Sequence, residues 1–169
     1  MKLRLLVTEY CPRKCPGCCN KDWDLKSLPV CKDFSGYSEV LITGGEPLSL
    51  PINTLVDIFK AVKVQNPTAK IILYTADSSK HRTIWDLLNT WLDGITLTLH
   101  EQKDVFLVYD FVNWVNTFEL PKGVSLRMNI FKGIEYSYLN LSKWRVKANM
   151  EWIKNCPLPK DEVFMRYKQ

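Results

Sequence analysis

The sequence predicts an α/β fold: a partial (βα)5-6 barrel, or an open sheet, with parallel strands. Three observations carry this. Short runs rich in Val, Ile, Leu and Thr alternate with stretches of helical period. The connections between them are short, which implies parallel pairing through right-handed crossovers. The units number about five or six, too few to close an eight-stranded barrel. In such folds chemistry collects at the carboxyl ends of the strands.

Strands are expected over residues 2–8, 39–43, 70–75, 94–99 and 124–131. Between them, residues 53–64 place Leu55, Ile58, Phe59 and Val62 on one helical face. Residues 82–92 do the same with Ile84, Leu87, Leu88, Trp91 and Leu92. A third helix, over 105–118, carries Val108, Phe111, Val112 and Val115 on its inner stripe. Asn53 and Asp104 stand where N-caps belong, and Gly94 follows a helix end. Residues 133–169 are less regular: 145–153 reads as a sixth strand, and the Pro157/Pro159 region as a tail on the body. With no repeat and no linker, residues 1–169 read as one domain.

The 169 residues are 46% hydrophobic and 24% charged, the composition of a globular protein. The net charge of +5 is spread along the chain, so a solvated surface is expected and nucleic acid is not the expected partner. Arg4 and Glu9 break the first apolar stretch, which fails as a signal peptide. No apolar run reaches the roughly 18 residues of a membrane span, so a cytoplasmic protein is expected. There, six cysteines read as ligands or free thiols and not as a disulfide framework.

Three of those cysteines, Cys11, Cys15 and Cys18, follow the first strand at C-x3-C-x2-C spacing. Pro12 and Pro16 bias Cys11 and Cys15 away from helical backbone, and Gly17 allows a tight turn. Such a loop suits thiolate ligation of zinc or of an iron–sulfur cluster. A closed zinc site needs a fourth protein ligand, from Cys31, Cys156, His81 or His100. A four-iron cluster on three cysteines instead leaves one iron open. Further along, the second strand ends in Gly44-Gly45-Glu46-Pro47. Paired glycines there permit close backbone approach by a ligand, and Glu46 can meet an ammonium group.

The cysteine loop followed about 25 residues later by Gly-Gly-Glu-Pro resembles the paired signature of the radical S-adenosylmethionine (SAM) superfamily. The resemblance rests on roughly residues 1–50 and implies a radical SAM core. It further implies a 4Fe-4S cluster on Cys11, Cys15 and Cys18, and SAM whose amino group meets Gly44, Gly45 and Glu46. The implied activity is reductive cleavage of SAM to a 5′-deoxyadenosyl radical, an oxidoreductase chemistry fed by a flavodoxin or ferredoxin. The stretch from Cys15 to Asn20 resembles the small activases of anaerobic ribonucleotide reductase, which makes a glycyl radical enzyme the first expected protein substrate. The chain departs from those activases in its shorter lead to Cys11 and in Glu46 for their aspartate. A small-molecule reaction like that of 7-carboxy-7-deazaguanine synthase, or a peptide substrate, is the alternative. A non-catalytic zinc or interaction module is the rival of a different class.

Further candidates sit at strand ends. Thr75 and His100 end the third and fourth strands and are candidate SAM or substrate contacts. Arg127 and Asn129 share a face of the fifth by period two: turned inward they need partners such as SAM, turned outward they are solvated. Arg13, Lys14 and Asn20 flank the cysteine loop, where they can tune it or meet an electron donor. Cys19, Cys31 and Cys156 read as ordinary thiols. Of the six tryptophans, Trp23 is the one expected to depart from a packing role.

Overall fold

A computed structural model describes residues 1–168. Among them are seven strands: β1 (Lys2–Leu6), β2 (Glu39–Thr43), β3 (Lys70–Thr75), β4 (Gly94–Leu99), β5 (Ser125–Phe131), β6 (Arg145–Met150) and β7 (Glu162–Arg166). Three α-helices lie between them: α1 (Ile52–Gln65), α2 (His81–Thr90) and α3 (Gln102–Thr117). The strands form one parallel sheet in the order β6-β5-β4-β3-β2-β1-β7. The chain divides into two compact units, Met1–Leu73 with the chain from Trp152 onward, and Tyr74–Glu151.

In the first unit β1 runs between β2 and β7, with Lys2 opposite both Glu39 and Glu162 and Leu6 opposite Thr43 and Arg166. Period-two alternation gives β1 two different faces. Leu3 and Leu5 are fully buried on one. On the other, Arg4 donates to the Glu162 carboxylate at 2.7 Å, and Lys2 pairs with Asp161 at 3.1 Å. Toward the carboxyl end that second face turns apolar. Leu6, Leu28 and Phe164 form a cluster against which Trp23, Leu25 and Leu158 pack. Trp23 meets Phe164 edge-on at 5.4 Å, so it packs like its fellows instead of departing from them. The helix α1 buries the expected stripe Leu55, Ile58, Phe59 and Val62.

β7 corrects the expected irregular tail. Its five residues pair with β1 along their whole length, and Arg166 Nε donates to the Leu28 carbonyl at 3.1 Å. β6 stops at Met150, three residues before its expected end. Asn149 adopts φ 55°, which breaks extended geometry and which Asn tolerates better than most residues.

In the second unit, β4 pairs with β5 and β5 with β6. The helix α2 buries Ile84, Leu87 and Leu88, and α3 buries Val105, Val108, Phe111, Val112 and Val115. Both expected N-caps sit inside their helices instead. Pro51 precedes α1, because a proline's fixed φ and missing N–H suit a helix start, and Asn53 falls in the first turn. In α3 the cap is Glu101, which forms a capping box with Asp104 three residues on. Asp104 is fully buried and accepts from the His100 N–H at 2.8 Å and the Glu101 N–H at 3.0 Å. Asp104→Ala leaves both donors without this acceptor, so a stability loss of about 1–3 kcal/mol is expected, readable in a urea midpoint.

Candidate functional site

The first unit brings the two sequence motifs into direct contact. β1 continues through Val7, whose N–H donates to the Thr43 carbonyl at 3.0 Å, so residues 8–10 run alongside the end of β2. There the Gly45 N–H donates to the Thr8 carbonyl at 2.6 Å and the Glu46 N–H to the Tyr10 carbonyl at 2.8 Å. From beyond the cysteines, the Asn20 side-chain amide donates to the Gly44 carbonyl at 2.6 Å. Residues 8–20 are thus stitched to the Gly-Gly-Glu turn at three points.

The glycines have a reason that is internal to the chain. Gly44 has φ +138°, a backbone region L side chains rarely enter, and a Cβ on it would press on the Thr8 carbonyl. A Cβ on Gly45 would overlap the Tyr10 carbonyl. Backbone approaching backbone, and not only ligand approaching backbone, requires the pair. The N–H groups of Gly45 and Glu46 and the carbonyl of Gly44, offered to a ligand on sequence grounds, have partners within the chain. The Glu46 side chain is 2% exposed and accepts from the Leu48 N–H at 3.1 Å, opening a 3-10 turn over Pro47–Ser49.

Cys11, Cys15 and Cys18 carry free, half-buried thiols. The loop is closed by the Cys18 N–H to Cys15 carbonyl bond at 3.4 Å, and Lys21 Nζ donates to the Cys15 and Pro16 carbonyls. Burial pushes the Cys11 thiol up, and the charges of Glu46, Cys15 and Cys18 push the same way. The Arg13 N–H, donating to the sulfur, opposes them. Those interactions put Glu46 and the three thiols in one electrostatic neighbourhood. Among the described residues, no three His, Cys, Asp or Glu side chains already converge as a metal cage. The donor set itself fits a thiophilic centre: three unbridged cysteines on one short loop.

The other cysteines divide, and not as expected. Cys19 and Cys156 are joined in a disulfide across 137 residues, with Cα atoms 5.5 Å apart, so they are not ordinary thiols. Proximity in space, invisible in the spacing, decides this. Cys31 does remain a thiol. It is 6% exposed, and burial pushes its pKa up.

The remaining candidates lie in the second unit. Arg127 and Asn129 are half-buried on one face of β5, opposite Thr96 and Thr98 of β4. Arg127 Nε donates to Ser125 Oγ at 3.2 Å, and Asn129 Nδ2 to Thr98 Oγ1 at 3.5 Å. His100 stands just past β4 with its ring tilted on Phe131 at 4.7 Å. Thr75 Oγ1 accepts from the Asp77 N–H at 3.0 Å, fixing the turn after β3. Thr96 and Thr98 were missed on sequence grounds, although they share the period-two face of their strand. Comparison with protein-family models, with curated proteins and with solved structures finds no match to this chain.

Proposed function

We propose that the protein is a cytoplasmic radical SAM enzyme built on a partial-barrel core. One observation carries the reading. The C-x3-C-x2-C loop and the Gly-Gly-Glu-Pro turn are hydrogen-bonded to one another through Thr8, Tyr10 and Asn20. The fold thus places the turn directly against the chain that flanks the cysteines. In this reading Cys11, Cys15 and Cys18 hold a 4Fe-4S cluster, and the Gly44–Glu46 turn orients the methionine end of SAM. When bound, the pair supplies one-electron reductive cleavage of the sulfonium. The chain's own work is to fix loop against turn and to keep Glu46 buried beside the thiols.

An electron donor of the flavodoxin or ferredoxin type is implied. Of the substrate classes, a glycyl radical enzyme comes first, on the Cys15-to-Asn20 sequence. The test is anaerobic reconstitution with iron and sulfide, then SAM and dithionite. A brown protein that forms 5′-deoxyadenosine supports the reading. A colourless protein that retains zinc and leaves SAM intact overturns it.

A further inference from the structure

We propose that the Cys19–Cys156 disulfide is a redox-cleavable latch that holds the segment around Trp152–Cys156 over the cysteine loop. Three observations combine. First, the bond anchors the segment beside Cys18, because Cys19 is the very next residue. Second, Trp152 lies so close against Gly17 that a Cβ there would overlap its ring. Between the two strands of chain runs a cleft of about 170 Å³, with Cys18, Lys21 and Asp22 on one wall and Trp152, Ile153 and Lys154 on the other. Third, the anchor is strained at the bond itself: Cys156 has φ 26°, in the left-handed region that residues other than Gly, Asn and Asp rarely enter.

These features make the segment dependent on its bond. It belongs to no strand or helix, and Trp152 and Ile153 are 38% and 57% exposed. A segment with little buried surface opens locally at low cost once its tether is cut. Relaxation of the left-handed Cys156 favours the same direction. Opening withdraws Trp152 from Gly17 and uncovers Cys18.

The reductant is a dithiol. One of its thiolates attacks a sulfur of the Cys19–Cys156 bond, and the displaced cysteine leaves as a thiolate and takes a proton. The second thiol of the dithiol then resolves the mixed disulfide and frees the other cysteine. Two electrons and two protons pass to the protein, and the reductant departs as its own disulfide. A metal centre on the loop would thus be covered when the surroundings oxidise and reachable when they reduce. That last consequence rests on the function proposed above; the latch itself does not.

The experiment uses metal-free full-length protein, so its outcome is independent of whether iron binds. After air oxidation, a non-reducing peptide map is expected to contain the Cys19–Cys156 cross-link. A dithiol added under native conditions is then expected to speed trypsin cleavage after Lys154 and maleimide labelling of Cys18, each by about tenfold. The far-UV spectrum should stay unchanged. Cys156→Ser should sit at the fast rates with or without dithiol. Should that variant not fold, Cys19→Ser and the reductant titration of the wild type carry the test. No cross-link, rates that do not respond to reduction, or loss of the whole fold on reduction would each overturn the latch.

Discussion

Cys15→Ala protein, reconstituted with iron and sulfide under argon, is expected to come out nearly colourless. Bound iron should fall from roughly four atoms per chain to a small residue, since a cluster held by three thiolates loses a third of its anchors. Formation of 5′-deoxyadenosine should fall by at least about a thousandfold, or roughly 4 kcal/mol of barrier. The fold should survive, because Cys15 is half-buried, unbridged and outside every strand and helix among the described residues. Cys31→Ala is the control: that thiol is buried in the first unit, away from the C-x3-C-x2-C loop in sequence, and iron content should hold. Equal iron in the two variants would remove Cys15 from the ligand set.

Gly45→Ala should do a different kind of damage. The added methyl falls on the Tyr10 carbonyl, a backbone atom that cannot rotate away. Either β2's end or the lead into Cys11 must move, and both the Gly45-to-Thr8 and the Glu46-to-Tyr10 bonds go with it. A stability loss of about 3 kcal/mol is expected, the scale of overpacking at a site with no slack. Iron uptake should drop although every thiol is still present. Gly36→Ala makes the comparison sharp, because nothing lies within 4 Å of a Cβ there. That change should be neutral or slightly stabilising, by up to about 1 kcal/mol. Matching urea midpoints for the two alanine variants would show that the contact with Tyr10 does not constrain the turn.

These two predictions also mark what a linear reading can see. The cysteine loop and the glycine turn were legible because each is a local pattern with its own stereochemistry. β1 to β5 were legible because runs of β-branched and apolar residues bounded by turns are local too. β7 was not. Glu162–Arg166 is a short strand without clean alternation, and its partner β1 lies at the other end of the chain. The Cys19–Cys156 bond was hidden for the same reason, and so was Trp152 on Gly17. Asn20 stands out in the sequence only as a neighbour of the cysteines; its partner in the turn does not. Its amide donates to the Gly44 carbonyl just past β2, 24 residues away, a contact no local pattern signals. Asp104 stands just before the apolar helical stripe and so resembles a cap; Glu101 is the cap, which makes Asp104 the third residue of a capping box.

The pairing of β1 with β7 has a bearing on biosynthesis. Arg4 and its partner Glu162 are 158 residues apart, so β1 leaves the ribosome long before the strand that flanks it exists. At cellular synthesis rates the interval is on the order of ten to thirty seconds. For most of it the cysteine loop has already emerged, while Trp152 and Cys156 have not. The nascent chain therefore exposes Cys11, Cys15 and Cys18 to its surroundings, oxidants included, before β7 is made to pair with β1.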